Sequence, residues 1–293
     1  AVDIEKLSGG KIILRSPQII GDYPKSLSAW IIQWAKKTPN AIFLADRSGQ
    51  DSSWRKITYQ EFLTQIRSVA QALLNRGLSA ERPVAILSDN SVDNALLLFG
   101  AMHIGIPVVP ISPAYSLMST DFGKLKYILE LTNPGLVYVG DGEKFSRALI
   151  NNDFNGAEIV FSTNAPVGID ATNFRELLAV TPNSDVETNE QKVGPDTIAK
   201  ILFTSGSTGQ PKGVINSQRM LCSNQQAMSQ VWTFLDKKPP VTVDWLPWNH
   251  TFGGNHNLNM ILRSGGTMYI DAGKPAPGII EKTVAINLFD VFL

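Results

Sequence analysis

Leu202-Phe203-Thr204-Ser205-Gly206-Ser207-Thr208-Gly209-Gln210-Pro211-Lys212-Gly213-Val214 is the stretch on which the reading of this chain turns. From Thr204 to Val214 it sets four hydroxyls, three glycines and one lysine behind an apolar run, a density of small polar groups found nowhere else in the chain. Glycines let the backbone take positive φ, so that successive N–H groups can turn inward as a nest around the oxygens of an anion. Hydroxyls and a lysine point charge complete such a shell. Two familiar loops compete for the reading. The P-loop requires G-x-x-x-x-G-K-[ST], whereas Lys212 follows Pro211 and precedes Gly213. The nucleophile elbow requires G-x-S-x-G, and neither Ser205 nor Ser207 has the flanking glycine pair. A bland surface loop is the remaining competitor, and chance rarely assembles so many Gly, Ser, Thr and Lys positions.

Outward from the loop, the flanks alternate between two hydrophobic periods. Upstream, Ile198 to Phe203 reads as a strand, preceded by a non-periodic stretch over 182–195 that reads as a connection within one domain. Further back the pattern gives strand Val84-Ala85-Ile86-Leu87, a helix from Val92 to His103 closed by Gly105, and a strand over Pro107 to Ile111. A helix over Asp121 to Leu131, strand Leu136 to Val139, a short helix near Lys144 to Ile150 and strand Glu158 to Phe161 follow. Strands alternating with helices predict βαβ units, hence an α/β fold with mainly parallel sheets and right-handed crossovers.

Nearer the N-terminus, Leu27, Trp30, Ile31 and Trp34 recur at helical spacing until Pro39. Two strands over Ala41 to Ala45 and Trp54 to Thr58 flank a turn at Ser48-Gly49-Gln50-Asp51, and Thr58 with Glu61 has capping-box spacing for a helix that ends at Gly77. Beyond the glycine-rich loop the pattern predicts a helix from Ser217 to Leu235 with Leu221, Met228, Val231 and Leu235 on one face. A strand over Val241 to Leu246, a helix to Arg263 and a strand over Thr267 to Asp271 complete the reading.

Composition narrows the function classes. The 293 residues carry 26 basic and 26 acidic side chains, a formal net charge of zero, without a block of like charge. That balance disfavours nucleic acid and anionic membrane as partners. The single cysteine, Cys222, excludes an internal disulfide framework and suits a reducing compartment. Without a long apolar run or a signal-peptide layout at the start, the expectation is a soluble cytoplasmic protein.

A second stretch carries chemistry: Trp245-Leu246-Pro247-Trp248-Asn249-His250-Thr251-Phe252-Gly253-Gly254-Asn255-His256. Trp248, His250 and Phe252 on one loop offer flat apolar walls for an aromatic acid, and the plain alternative is that Trp248 and Phe252 are core aromatics. His250 and His256 match no common metal spacing, and no further histidine or cysteine lies nearby to complete a set. Cys222 and His103 read as structural residues.

Thr204-Ser205-Gly206-Ser207-Thr208-Gly209-Gln210-Pro211-Lys212-Gly213 resembles, at every position, the phosphate-binding signature of the adenylate-forming (AMP-binding) superfamily of acyl-CoA synthetases, adenylation domains and luciferases. With Ser112-Pro113-Ala114-Tyr115, Trp245 to Asn257 and Tyr269 to Pro275, the chain to about Ala285 is similar to bacterial feruloyl-CoA synthases. The resemblance implies an acid–thiol ligase that activates a hydroxycinnamic acid with ATP and Mg2+ and passes the acyl group to CoA. It implies that Thr204, Ser205, Gly206, Ser207, Thr208, Gly209 and Lys212 hold the ATP phosphates. It places His250 beside the acid, with Trp248, Phe252 and Gly253 around the same pocket, and gives Lys212, Thr204 and His250 the catalytic roles. No side chain of this stretch is implied as a metal ligand.

Measured against the family pattern, residues 1–285 correspond to part of the large N-terminal domain, and 286–293 diverge. The adenine, ribose and magnesium motifs and the C-terminal lid domain with its lysine find no counterpart, so the expectation from the resemblance is an inactive portion of a longer enzyme. Two other functions stay open: a non-catalytic nucleotide-binding module, and a synthetase for another carboxylic acid such as a fatty acid.

Overall fold

Val84 and Ile86 face one core while Ala85 and Leu87 face another, and in the neighbouring strand Leu136 and Tyr138 face the first core while Val137 and Val139 face the second. Side chains alternate across a strand, so a sheet covered on both faces reads as an unbroken apolar run. That run is what marks these strands in the sequence.

The computed structural model describes residues 2–47, 53–204 and 209–271. The predicted turn at Ser48-Gly49-Gln50-Asp51 and the loop residues Ser205, Gly206, Ser207 and Thr208 lie outside the described residues. In chain order the first elements are β1 (Asp3–Lys6), β2 (Ile12–Arg15), α1 (Ser28–Lys37), β3 (Ile42–Arg47), β4 (Trp54–Thr58), α2 (Tyr59–Asn75), β5 (Val84–Leu87), α3 (Val92–His103) and β6 (Val108–Pro110). Next come α4 (Pro113–Leu117), α5 (Gly123–Thr132), β7 (Leu136–Asp141), α6 (Ser146–Ile150), β8 (Glu158–Thr163), β9 (Thr172–Asn173), α7 (Phe174–Leu178) and α8 (Ser184–Lys192). The last are β10 (Ile198–Thr204), β11 (Lys212–Ser217), α9 (Gln218–Val231), β12 (Val241–Asp244), α10 (Leu258–Ser264) and β13 (Thr267–Ile270), with a π-helical turn over Thr251–Asn257 leading into α10.

The larger sheet has the strand order β11-β10-β6-β5-β7-β8-β9 and is parallel except where β11 pairs antiparallel with β10. A four-stranded sheet, β12-β13-β3-β4, combines the early β3–β4 hairpin with two late strands parallel to β3. The fold is therefore α/β with mostly parallel sheets and flanking helices. The larger core holds an aromatic cluster: Phe43 stacks on Tyr59 at 4.8 Å and meets Phe62 edge-on at 4.9 Å, and Phe62 meets Phe99 at 5.6 Å. Tyr59 keeps its hydroxyl satisfied by donating to the Gly266 carbonyl at 2.8 Å. The capping box of α2 forms as its spacing predicts.

Two expectations are corrected. The stretch 182–195 contains helix α8, which buries only Val186. Its stability comes from its ends instead: Asn183 caps the first turn at 2.7 Å from the Asp185 N–H, Asp185 and Glu187 sit at the positive end of the helix dipole, and Lys192 at the negative end. Second, the helix expected from Ser217 to Leu235 stops at Val231, and Val231 is exposed. The buried face of α9 is Gln218, Leu221, Cys222, Gln225 and Ser229, with Gln225 turned inward to hold backbone carbonyls. Lys212 to Ser217, for which the sequence pattern gives no element, is strand β11, which lacks an apolar alternation because it is an exposed edge.

His103 closes α3 inside the core, with Nδ1 3.0 Å from the Ser28 hydroxyl. Burial, reinforced by the nearby Arg67 charge, pushes the imidazole down to about 4. A depressed histidine binds fewer protons folded than unfolded, so stability rises with pH across this window. Acidification from pH 6.5 towards about 4 is expected to remove about 3 kcal/mol through this residue. Urea midpoints at pH 7 and pH 4.5 check it: a His103→Gln variant should lose much of the pH dependence, and an unchanged slope would place the acid sensitivity elsewhere. Cys222 is buried and its thiol is pushed up to about 12 by desolvation, which fits a small core residue. Among the described residues no helix is long and apolar enough to cross a membrane.

Candidate active site

Thr204 and Lys212 face each other in register at the end of the β10–β11 pairing. The Thr204 hydroxyl lies 3.5 Å from the Lys212 carbonyl oxygen, at the long edge of a hydrogen bond. Thr204, Gly209 and the Lys212 side chain are exposed to solvent. The strand pairing fixes the backbone of the lysine at this end.

The aromatic loop leaves the end of β12 and is closed by Asp244. One carboxylate oxygen accepts from the Leu246 N–H at 2.9 Å and the other from Asn257 Nδ2 at 2.8 Å, tying the start of the loop to the end of the π-turn. Asn90, in the loop after β5, clamps the middle: it donates to the Leu246 carbonyl at 2.8 Å and accepts from the Trp248 N–H at 3.0 Å. Gly253 and Gly254 then pass directly over this loop. A Cβ on Gly254 would stand 2.3 Å from the Trp248 carbonyl oxygen, and one on Gly253 2.5 Å from the Leu246 and Pro247 carbonyls. Only glycine permits that approach.

The three aromatic positions separate in space. Trp248 is 2% exposed and belongs to the main core, so the core-aromatic reading holds for it and it offers no open wall. His250 is exposed, and Phe252 is 56% exposed. Phe252 stacks face to face on His256 at 4.6 Å, and His256 meets Trp232 edge-on at 5.6 Å. His256 and Trp232 thus join Phe252 in one partly exposed aromatic surface. Helical spacing within the π-turn is the signal that brings Phe252 and His256 together; nothing local points to Trp232.

Beneath the loop lies a buried cation. Lys200 of β10 is fully buried, and Nζ donates to the Gly254 carbonyl at 3.1 Å and to Asn255 Oδ1 at 3.3 Å. Desolvation alone brings the ammonium down to about 7. Its register partner across the hairpin is Asn216, whose Oδ1 accepts from Asn255 Nδ2 at 2.9 Å. Gln225 Nε2 donates to the Asn255 carbonyl at 2.7 Å from the other side. A lysine set among Ile198, Ala199, Ile201 and Leu202 is the trace of this arrangement in the sequence.

A cavity of about 790 Å³ lined mostly by polar residues opens where β5, β7 and β8 end, and its lining includes none of Thr204, Lys212, Trp248, His250 or Phe252. Its charges answer one another: Arg55 pairs with Asp93 at 2.6 Å, Ser162 bridges Asp93 and the Tyr138 hydroxyl at 2.7 Å each, and Lys144 pairs with Asp89. Among the described residues no group of three or more His, Cys, Asp or Glu is arranged to hold a metal ion.

A family model described as AMP-binding enzyme matches residues 31–286. Among curated relatives, indigoidine synthase of Streptomyces lavendulae is 24% identical over 269 residues, covering 90% of this chain and 19% of that protein. The 4-coumarate--CoA ligase-like 9 of Arabidopsis thaliana is 31% identical over 212 residues, 69% of this chain and 34% of that protein. The chain therefore spans a minor part of these relatives. Among solved structures, a putative long-chain-fatty-acid CoA ligase from Rhodopseudomonas palustris superposes with a TM-score of 0.71 at 18% identity, covering 88% of this chain and 60% of that one. ATP-bound MatB from Rhodopseudomonas palustris gives 0.66 at 24% identity, covering 89% and 48%. At these identities the structures establish the fold.

Proposed function

The chain belongs to the AMP-binding enzyme family, and from that premise we propose that it carries the phosphate hairpin and one wall of the acid site of an acid–thiol ligase acting on a hydroxycinnamic acid. The observation that carries the reading is that the β10–β11 hairpin, whose strands end at Thr204 and begin at Lys212, is hydrogen-bonded through Asn216 of β11 to Asn255 of the turn that follows His250 and carries Phe252. Two half-sites so joined suit a reaction between a nucleotide and an acid.

In the proposed first step a carboxylate oxygen of the acid bonds to the α-phosphorus of ATP, the bond to the bridging oxygen breaks, and pyrophosphate departs with the electron pair. Charge builds on the leaving group, so donors set around the β and γ phosphates stabilise the transition state. Lys212 and Thr204 take that role, with Gly209 allowing the backbone to approach and Ser205, Gly206, Ser207 and Thr208 proposed as further donors. In the second step the thiolate of CoA attacks the acyl carbon and AMP leaves. Magnesium, when bound with ATP, neutralises phosphate charge; the chain's own residues orient the triphosphate and the acid.

For the acid, His250 and Phe252 form the proposed border and Gly253 lets the turn lie close beneath it. The Phe252–His256 stack favours a flat, conjugated acid, since aromatic faces pair best with other planar faces. His250→Ala is expected to raise the KM for ferulate, or lower turnover, by about 10-fold with ATP affinity unchanged. Pyrophosphate exchange across ferulate, a saturated fatty acid and an amino acid separates the substrate classes. If both constants for ferulate stay at wild-type values in His250→Ala, the loop is structural.

A further inference from the structure

The β10–β11 hairpin and the π-turn are separate elements, yet one contact set binds them below the surface. Lys200 and Asn216 occupy directly opposite positions on the two strands of the hairpin. Both reach the same residue, Asn255, which also donates to Thr251 Oγ1 at 3.2 Å and so holds both ends of one turn of the π-helix. Lys200 adds a second bond to the carbonyl of Gly254, the residue that no side chain could replace.

We infer that Lys200, Asn216 and Asn255 form a joint that sets the acid loop at a fixed distance and angle from the phosphate hairpin, making Lys200 a positioning residue for the adenylation step. The inference rests on the reading of these two elements as acid and phosphate half-sites.

Two features argue for a joint rather than ordinary packing. A lysine is seldom fully buried without a carboxylate, because removing an ammonium from water is costly. Here burial lowers the ammonium to about 7, and the group is kept where it meets only neutral oxygens of the acid loop. A methionine or leucine would fill the same space without that cost, so the polar head must be retained for the bonds it makes. Those bonds are directional, and they end on the Gly254 carbonyl and the Asn255 side chain, two to five residues past Phe252 and His250. In-line attack demands that the acid and the α-phosphorus be held within a fraction of an ångström, and a misplacement of about 1 Å can cost about 10²-fold in rate.

The test uses Lys200→Met, Asn255→Ala and the double variant. Amide hydrogen exchange over residues 250–257, measured without ligand, should quicken by about 10-fold or more in each single variant while the aromatic core around Phe43 keeps its protection. In a chain completed with the family's remaining motifs, pyrophosphate exchange with ferulate should fall by about 10- to 100-fold. Affinities for ATP and for ferulate, titrated separately by calorimetry, should stay within about 2-fold, a split that general loss of structure would not give. The double variant should be no worse than the poorer single one, as expected of residues acting through one contact. Unchanged exchange over 250–257, or losses that simply multiply, would overturn the joint. Should Lys200→Met fail to fold, the half-buried Asn255→Ala gives the same readouts. If the wild-type protein bound neither ATP nor ferulate, the functional reading would fall, while hydrogen exchange would still decide whether the joint exists.

Discussion

Replacing Lys212 by alanine, in a chain completed with the family's remaining motifs, is expected to lower acid-dependent pyrophosphate exchange by about 10² to 10³, the usual cost of one preset donor to a developing anion. The fold should hardly notice. Lys212 contributes its backbone to the pairing with Thr204, and alanine keeps that pairing, while the side chain itself is exposed. Exposed substitutions of this kind stay within about 0.5 kcal/mol of wild type. The contrast between a large kinetic effect and an unchanged urea midpoint is the signature of a group that acts on the phosphates. An exchange rate equal to wild type would remove Lys212 from the mechanism, and a shifted midpoint would show that the hairpin had been damaged instead.

The largest stability effect is expected at Phe43. Its ring is fully buried, stacked on Tyr59 and met edge-on by Phe62 and Phe99, so that β3, α2 and α3 share one aromatic cluster. Phe43→Ala removes the transfer energy of the ring and leaves a cavity that three rigid neighbours can fill only in part. The cost is about 3 to 5 kcal/mol, a large share of the total stability of an ordinary domain. A urea titration should show the midpoint falling with the slope kept, and Phe43→Leu should recover a good part of the loss. A midpoint within about 1 kcal/mol of wild type would mean that the cluster is not the keystone of this core.

The fold was legible wherever burial wrote a period into the chain. The doubly covered strands β5 and β7 and the amphipathic α2 with its Thr58–Glu61 box are of this kind. Where stability is local or the element is an edge, no such period arises. Helix α8 buries one residue and is held by Asn183 and its end charges. Strand β11 is exposed almost throughout and looks like a continuation of the polar loop.

For the candidate site, the sequence displays the groups proposed to face a ligand but conceals those that arrange them. Lys212 and His250 are visible as motif residues. Trp248, from the same motif, turns out to be core, because whether an aromatic faces a ligand or the interior depends on what lies behind the loop. Lys200 and Asn90 carry no motif, since their role exists only once residues 54 and 158 positions apart are brought into contact.

The four-stranded sheet has a consequence for how the protein is made. Strand β3 is flanked by β4, which follows it immediately, and by β13, which ends at Ile270. A ribosome adding about 5 to 20 residues per second delivers β13 roughly 10 to 40 s after β4 has emerged. Through that interval Phe43 and the open flank of β3 belong to a nascent hairpin whose unpaired backbone can recruit other strands. The seven-stranded sheet has all its members by Ser217 and can close earlier. Synthesis therefore imposes an order on the two sheets, and the vulnerable species in the cell is the half-translated chain with β3 waiting for its partner.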